Sequence, residues 1–340
     1  MSPLSPEQGR VRFGQGMGAT IAMDFSADES GWSDYLRHMV EFRRFSWLDL
    51  ELYTDIYNRV CGHESAPSAH SPDSMRRQLE QPSCDPERNI LLAWCDGSPA
   101  GFVRISPELK IGRTVASGGV LDGFRGRGLG SGLMAAALDR ASDLNARVLH
   151  VQAADDDEPF HRLLASSGFE RVTTYWNMVW SAGAPRGADL PAGYSFRDFK
   201  LGVDEERLTE LQNAVFGGTW GFCPNTVEEI TARVRLERTE PERIIFVLDE
   251  ELPVAYCWTS RAKNEFGSIG YISMAGARPE YRRKGIGTAA VAAGMDYLES
   301  RGIDRIELEV SAENVAARDL YVNLGFARTK EAFWYEKRLS

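Results

Sequence analysis

The fold of this chain is decided by the stretch ARPEYRRKGIGT, residues 277–288. It follows the apolar run Ile269–Ala275 and precedes a helical pattern over Ala289–Leu298, which predicts a strand, a glycine-rich turn and a helix in that order. Glycine lets the backbone turn where a Cβ would clash, and the first N–H groups of a helix have no partner inside it. Such a helix start attracts anions, and the basic residues Arg282–Lys284 add to the attraction, so we expect a phosphate group to bind here.

A second copy of this pattern lies 157 residues upstream. Residues 125–130 repeat the Arg-x-x-Gly-x-Gly pattern of residues 282–287 (282 − 125 = 157). The pair Gly168-Phe169 recurs as Gly325-Phe326 at the same offset (325 − 168 = 157). Because two separate markers share one period, the sequence predicts a duplicated domain.

The two copies resemble the acyl-CoA pyrophosphate loop of the GNAT (Gcn5-related N-acetyltransferase) superfamily, which reads Arg/Gln-x-x-Gly-x-Gly/Ala. The segment Leu308–Phe326, which contains Asn314 and Tyr321, is also similar to the family's fifth strand and the helix after it. The resemblance covers nearly the whole chain as a tandem pair. It implies an α/β (α+β) fold of two tandem GNAT domains, each with a mixed, mostly antiparallel sheet flanked by helices.

The duplication divides the chain into four segments. Residues 1–18, with several Gly and Pro and no periodicity, are expected to form a flexible tail. A degenerate GNAT domain is predicted over residues 19–180 and a catalytic one over residues 194–340. The small, Pro- and Gly-rich segment 181–193 between them is typical of an interdomain linker.

Composition and charge exclude several classes of function. The 340 residues, 43% hydrophobic and 26% charged, suit a globular enzyme of two domains. A net charge of −10 argues against a nucleic-acid partner, because phosphate contacts need clustered Lys and Arg. The sequence has no run of 18 apolar residues and no export signal, so we expect no membrane partner. A monomer or homodimer is expected.

The cysteines indicate the compartment. Cys61, Cys84, Cys95, Cys223 and Cys257 are odd in number and scattered, with no Cys-x-x-Cys pair. This pattern suggests neither a disulfide framework nor a zinc site. We therefore expect a cytoplasmic protein with no metal in its site.

The resemblance implies acetyl-CoA, or another acyl-CoA, as cofactor. In the family the Asn helps to hold the cofactor and the Tyr is the general acid for the leaving thiolate; Asn314 and Tyr321 occupy these positions. Subtracting 157 gives Asp157 and Leu164, so catalysis is expected in the second domain. The other implied cofactor contacts there are Ala275, Ala277, Arg282, Arg283, Lys284, Gly285, Ile286, Gly287 and Thr288. A possible second cofactor site in the first domain comprises Val120, Arg125, Arg127, Gly128, Gly130 and Ser131.

The general base is harder to assign. Many family members carry a Glu on the strand before the Gly turn, but Gly267–Ala277 carries none and offers Tyr271 and Ser273 instead. Glu265, in the preceding loop, and Glu309, on the predicted strand Arg305–Val310, are the candidates. Their alternative role is that of solvated surface carboxylates, in which case a water chain would remove the proton.

An acceptor site is expected between the first two helices of the second domain, where the family builds its acceptor pocket. Trp220 and Phe222 lie in this segment, and we expect them to line the site. The acceptor implied is an amine of a small molecule or a peptide.

Two other functions are alternatives to acyl transfer. Gly285-x-Gly287-x-x-Ala290 fits a dinucleotide-binding fingerprint, but that motif follows the first strand of its unit, whereas several strands are predicted before this one. A non-catalytic acyl-CoA-binding or scaffold protein is the remaining alternative. The presence of Asn314 and Tyr321 favours an acyl-CoA-dependent N-acyltransferase, most simply an N-acetyltransferase, that works in its C-terminal domain.

Overall fold

The computed structural model describes residues 39–63, 66, 68–183, 189–235, 244–265 and 267–339. The predicted tail 1–18 and residues 184–188 of the predicted linker lie outside this part. Its strands are Val40–Arg44 (β1), Ile90–Cys95 (β2), Ser98–Glu108 (β3), Arg113–Val120 (β4), Val148–Ala154 (β5), Glu170–Ser181 (β6), Tyr194–Asp198 (β7), Ile244–Asp249 (β8), Leu252–Asn264 (β9), Gly267–Ala277 (β10), Arg305–Ser311 (β11) and Ala327–Arg338 (β12). Its α-helices are Leu50–Val60 (α1), Pro72–Leu79 (α2), Pro86–Asn89 (α3), Leu129–Asp143 (α4), Glu158–Ser166 (α5), Glu205–Phe216 (α6), Val227–Val234 (α7), Ile286–Ser300 (α8) and Val315–Asn323 (α9).

The duplication is present in the structure at the offset that the sequence predicts. The helix after each Gly turn starts and ends 157 residues apart in the two copies, as do the strand and the helix that follow it: α4 matches α8, β5 matches β11, and α5 matches α9. The last strands, β6 and β12, also match at 157. We call residues 40–181 the N-terminal repeat and residues 194–338 the C-terminal repeat.

The two repeats exchange their last strands within one continuous sheet. The strand order is β1-β2-β3-β4-β5-β12-β6-β11-β10-β9-β8-β7. Strand β6 pairs antiparallel with β11 of the other repeat, and β12 pairs antiparallel with β5. The predicted domain boundary at residue 180 thus falls at the end of a strand whose two neighbours, β11 and β12, both belong to the C-terminal repeat.

An approximate two-fold axis relates the repeats and passes through the ladder between β6 and β12. Tyr175 faces Ala332 in that ladder, and these two residues are themselves 157 apart (332 − 175). The outer strands therefore extend away from the axis in the same order on either side.

Each repeat contains a gap between its two parallel strands. Strands β4 and β5 pair in parallel only from Arg113↔Val148 to Ala116↔Val151, and β10 and β11 only at Gly270↔Ile306 and Tyr271↔Glu307. Beyond these pairs the strands separate, while β4 and β10 stay bonded to β3 and β9. Each gap opens toward the Gly turn that follows β4 or β10, so backbone groups at this edge are left for another partner.

Apolar burial fixes the exchanged strands in place. Trp180 of β6 is fully buried in a cluster that includes Met295 and Leu298 of α8, although α8 belongs to the other repeat. Tyr335 of β12 likewise packs against the core around α4. A large aromatic side chain contributes several kcal/mol on burial, roughly 3–5 kcal/mol by the cost of its truncation, so neither core is complete without the other repeat's last strand.

The exchange predicts that the two repeats cannot fold separately. If the chain is cut between residues 183 and 189, the first fragment lacks β12 and the second lacks β6. Unpaired inner strands aggregate, so we expect each fragment alone to be insoluble, and the two fragments expressed together to form a 1:1 complex. Affinity purification through a tag on one fragment, followed by gel filtration, measures this. Two fragments that fold as independent monomers would contradict the strand exchange.

Candidate active site

The two Gly turns leave helix N-termini without side-chain caps. Gly128 (φ 82°) and Gly285 (φ 80°) adopt the left-handed conformation directly before α4 and α8, and among the described residues neither helix start has a side-chain cap. The helices α7 and α9, in contrast, are capped by Thr226 and Asn314. The first N–H groups of α4 and α8 are those at which the sequence predicts a bound phosphate.

The first arginine of each turn braces the turn itself. Arg125 Nε donates to the carbonyl oxygen of Val120 (3.2 Å), and Arg282 Nε donates to that of Ala277 (3.4 Å). Arg282 also donates through Nη2 to the carbonyl oxygen of Val215 on α6 (2.9 Å). The guanidinium groups thus fix the end of β4 or β10 against the helix start.

The remaining predicted cofactor residues gather at the same end of β10. A Cβ built on Gly287 would lie 4.0 Å from Ala277 Cβ and from Leu320 Cδ1, so turn, strand and α9 converge there. Arg283 has a left-handed backbone (φ 61°) where the first turn has Gly126, and Lys284 Nζ lies 4.5 Å from the centre of the Tyr281 ring. The other members lie on the same strand or helix start: Ala275, Ile286 and Thr288.

Tyr321 and Leu164 occupy equivalent positions with different chemistry. Tyr321 is 9% exposed, on α9, with its ring edge-on to Phe326 at 5.8 Å. Burial, followed by the nearby Cys257 thiol, raises the pKa of the Tyr321 phenol, so the hydroxyl stays protonated and can act as a donor. Leu164, in α5, is fully buried and apolar.

Asp157 and Asn314 are both helix N-caps. Asp157 Oδ1 accepts from the backbone N–H of Phe160 (3.2 Å), and Asn314 Oδ1 accepts from that of Ala317 (3.2 Å). Their shared role explains why the position is polar in both repeats. The amide of Asn314 also carries N–H₂ donors, which the carboxylate of Asp157 lacks.

The gap in the N-terminal repeat is a cavity of about 230 Å³, which we call the N-terminal cavity. Of the predicted second cofactor site, Val120, Arg125 and Gly130 line it, whereas Arg127, Gly128 and Ser131 are not among its lining residues. Asp157 and Gln152 also line the cavity. The first Gly turn therefore borders a space that extends along the free edge of β4.

Glu309 lies in the gap of the C-terminal repeat, two residues beyond the last parallel pair. It lines a cleft of about 680 Å³ together with Asn177, Tyr271, Ser273 and Thr329, which we call the Glu309 cleft. The carboxylate is exposed within the cleft, but the protein around it displaces enough water to raise its pKa. A hydrogen bond from the Gln152 side-chain amide opposes that rise.

Glu265 lies apart from these groups. It occupies the turn between β9 and β10, at the opposite end of β10 from the second Gly turn. It is exposed and is not among the residues that line the Glu309 cleft. Of the two candidate bases, the structure brings only Glu309 into the gap.

Trp220 crosses from the C-terminal repeat onto the sheet of the N-terminal repeat. Its ring lies 5.1 Å from His150 and 5.6 Å from Trp334, and the Arg113 guanidinium stacks on it at 5.6 Å. His150 and Trp334 are equivalent, at the offset of 157, to Glu307 and Asn177, which line the Glu309 cleft. Trp220 therefore covers the surface of the N-terminal repeat that corresponds to this cleft.

Phe222 lies farther along the same loop. It packs on Phe216 at 5.7 Å and lines a separate polar cavity of about 310 Å³ between the repeats. The centre of the Trp220 ring, in contrast, lies 6.3 Å from the centre of the Tyr175 ring. The pKa of Tyr175 is raised by burial and, to a smaller extent, by the charge of Glu309. The predicted pair thus follows the boundary between the repeats, and only Trp220 approaches the surroundings of Glu309.

Sequence reasoning missed the residues that one repeat contributes to the surface of the other. Gln152 could have been found, because the offset of 157 leads from Glu309 directly to it. His150, which is buried with its Nε2 2.9 Å from Glu336 Oε2 and its pKa lowered by burial, carries no signal of its own in the sequence.

The model of the Acetyltransferase (GNAT) family matches the chain twice, over residues 50–169 and 205–326. The chain therefore belongs to the GNAT family, and it is an acetyl-CoA-dependent N-acetyltransferase. This confirms the tandem GNAT fold and the acyltransferase activity that the sequence predicted. Within the described residues, none of the helices has the length and apolar character needed to cross a membrane.

Curated relatives are similar over most of their length. The mycothiol acetyltransferase of Thermobispora bispora is 33% identical over 249 residues, which cover 70% of this chain and 80% of the relative. That of Stackebrandtia nassauensis is 30% identical over 265 residues, 75% of this chain and 84% of the relative. The outline of the sequence, with its tandem repeat, also resembles mycothiol synthase.

Solved structures share the whole architecture at low identity. A GCN5-related N-acetyltransferase from Sphaerobacter thermophilus superposes with a TM-score of 0.70 at 22% identity, over 90% of this chain and 97% of its own. A tandem GNAT protein from the clavulanic acid biosynthesis pathway has a TM-score of 0.66 at 16% identity, over 88% and 98%. At these identities the likeness concerns the fold alone.

The two Gly turns predict two separable cofactor sites. Gly285→Glu and Gly128→Glu each place a negative side chain at one of the two helix starts where a phosphate is expected. Each should therefore abolish one of two acetyl-CoA sites in a calorimetric titration. Gly285→Ala and Gly128→Ala are the matched controls, because they add the same backbone strain, about 1 kcal/mol, without the charge. An unchanged stoichiometry in Gly128→Glu would show that the N-terminal cavity does not bind the cofactor.

Proposed function

We propose that acetyl transfer takes place in the C-terminal repeat, from acetyl-CoA held at the second Gly turn to the amine of a small molecule in the Glu309 cleft. The observation that carries this proposal is the chemical difference between equivalent positions. The C-terminal repeat has Tyr321 and Glu309 where the N-terminal repeat has Leu164 and Gln152. Leucine and a neutral amide can neither donate the proton nor accept it, so the machinery for general acid and base catalysis exists in one repeat.

The cofactor would bind along the free edge of β10. Its pyrophosphate faces the N–H groups at the start of α8, with Arg283 and Lys284 nearby, and its pantetheine arm follows β10 past Ala277 and Ala275. Asn314, at the start of α9, offers its amide N–H groups to the same arm. This path leads the thioester toward the gap between β10 and β11. There we assign Tyr321, on α9, to protonate the leaving sulfur.

The reaction is a direct transfer. Glu309 accepts a proton from the acceptor amine as the nitrogen attacks the thioester carbonyl carbon, and backbone N–H groups of the free strand edge stabilise the oxyanion. The C–S bond then breaks, the nitrogen keeps the acetyl group, and Tyr321 donates its O–H to the departing thiolate. The raised pKa of Tyr321 keeps this donor protonated before the reaction.

The N-terminal repeat would not take an acceptor. Trp220 covers its counterpart of the Glu309 cleft, and Leu164, at the position of Tyr321, is buried and apolar. Trp220 also borders Tyr175 beside the Glu309 cleft, so we assign it, with Phe222 behind it, to the wall of the acceptor site. Relatives named mycothiol acetyltransferase support a small-molecule acceptor, and not a peptide, for this chain as well.

The role of Tyr321 predicts a selective loss of turnover. Tyr321→Phe removes the proton donor and keeps the ring that packs on Phe326, so kcat should fall roughly a hundredfold while the Kd of acetyl-CoA changes less than about twofold. Steady-state kinetics and calorimetry measure the two quantities. Tyr297→Phe on α8 is the matched control and should leave kcat unchanged. An unaltered kcat in Tyr321→Phe would exclude Tyr321 as the acid.

The raised pKa of Glu309 predicts the pH dependence of the reaction. A base works only when deprotonated, so kcat/KM should fall as the pH drops through the pKa of Glu309, and this fall should lie above the ordinary range for glutamate. Glu309→Gln should lower kcat/KM and abolish this acid-side fall. Glu265→Gln should leave the profile as in the wild type. If Glu265→Gln alone changed the profile, the base would be Glu265, in the β9–β10 turn, and not Glu309.

A further inference from the structure

A hydrogen bond joins the two repeats at equivalent positions. The side-chain amide of Gln152, on β5, donates through Nε2 to Oε1 of Glu309, on β11. The two residues are 157 apart (309 − 152), so each is the counterpart of the other under the approximate two-fold axis. One copy of the repeated position therefore carries the carboxylate, and the other carries a donor that contacts it.

The exchanged strand β12 fixes the position of Gln152. Gln152 faces Trp334 in the ladder between β5 and β12, and Glu309 faces Asn177 in the ladder between β11 and β6. Both residues are thus anchored by regular strands on either side of the central β6–β12 pair. A donor carried on a paired strand holds its partner in one orientation better than a donor on a loop.

The other charged groups around the Glu309 cleft have partners of their own. Arg305 bonds Glu307 on the same strand (2.6 Å), and Lys330 of β12 lies 3.8 Å from Asp156. Tyr271 on β10 also lines the cleft, and Tyr175 on β6 lies close enough for the charge of Glu309 to add to the rise that burial causes in its pKa. Among the described residues, Gln152 alone donates a hydrogen bond to Glu309.

We propose that Gln152 is a positioning residue for acetyl transfer: it orients the Glu309 carboxylate toward the acceptor and favours its deprotonated form, so that the N-terminal repeat supplies part of the C-terminal active site. The proposal rests on the role of Glu309 as base given above. An amide N–H donates to a carboxylate more strongly than to the neutral acid, so the bond counteracts the loss of solvation in the cleft. Without it, Glu309 would remain protonated up to a higher pH and would rotate more freely.

The test is the pH profile of kcat/KM for Gln152→Leu in the full-length protein. Loss of the donor should move the acid-side fall to higher pH and lower kcat/KM roughly tenfold on the acid side, with the KM for acetyl-CoA unchanged. Gln152→Glu should move the fall farther in the same direction, because it places a second carboxylate against Glu309. Gln81→Leu is the matched control: the Gln81 amide donates to the Arg77 carbonyl oxygen, on α2, and the profile should not move.

A folding defect is separated from the proposed effect by a second variant. Gln152→Met keeps the length of the side chain and removes the donor, so it should shift the profile as Gln152→Leu does, with a wild-type thermal unfolding midpoint. A profile that stays in place in both variants, while Glu309→Gln abolishes the acid-side fall, would overturn the role of Gln152 and leave the proposed function intact. If Glu309→Gln keeps the fall, the base itself is wrong, and the role of Gln152 is overturned with it.

Discussion

The antiparallel ladder between β6 and β12 is the interaction on which the rest of the structure depends. It joins the last strands of the two repeats, and through them β5 of one repeat and β11 of the other enter the same sheet. Each repeat completes its core with an aromatic side chain from the other, Trp180 in one direction and Tyr335 in the other. The distance between the two sites is therefore fixed by backbone hydrogen bonds, whereas two domains on a flexible linker would move against each other.

Within this fixed frame the repeats have diverged through side chains and not through backbone. The elements from α4 to β6 begin and end 157 residues before those from α8 to β12, yet Tyr321 is matched by Leu164 and Glu309 by Gln152. Both repeats retain a glycine in the left-handed conformation before an uncapped helix. The helix start at which we propose phosphate binding is thus a property of the backbone and is present in both copies, while the groups to which we assign proton transfer are side chains and are present in one.

The sequence predicted those features that depend on local pattern and missed those that depend on long-range pairing. Short sequence motifs were enough to predict the Gly turns, the offset of 157, and the positions of Asn314 and Tyr321 in the helix after β11. They were not enough to predict the pairing partner of β6, because the residues of a strand do not by themselves specify which distant strand it will pair with. The same limit applies to Trp220: its position in the loop after α6 suggested an acceptor pocket, but only the exchanged sheet brings His150 and Trp334 beneath it.

The strand exchange also bears on how a base can work in a cleft. Enclosure by protein raises the pKa of Glu309, which makes it a stronger base but leaves less of it deprotonated near neutral pH. A cationic partner would restore the deprotonated form at the expense of basicity, since it would stabilise the carboxylate strongly. A neutral amide such as Gln152 is an intermediate solution, because it orients the carboxylate and offsets only part of the lost solvation. A single GNAT domain has no second copy of β5 from which to provide such a group, so the control that we propose for Glu309 requires the duplicated and exchanged sheet.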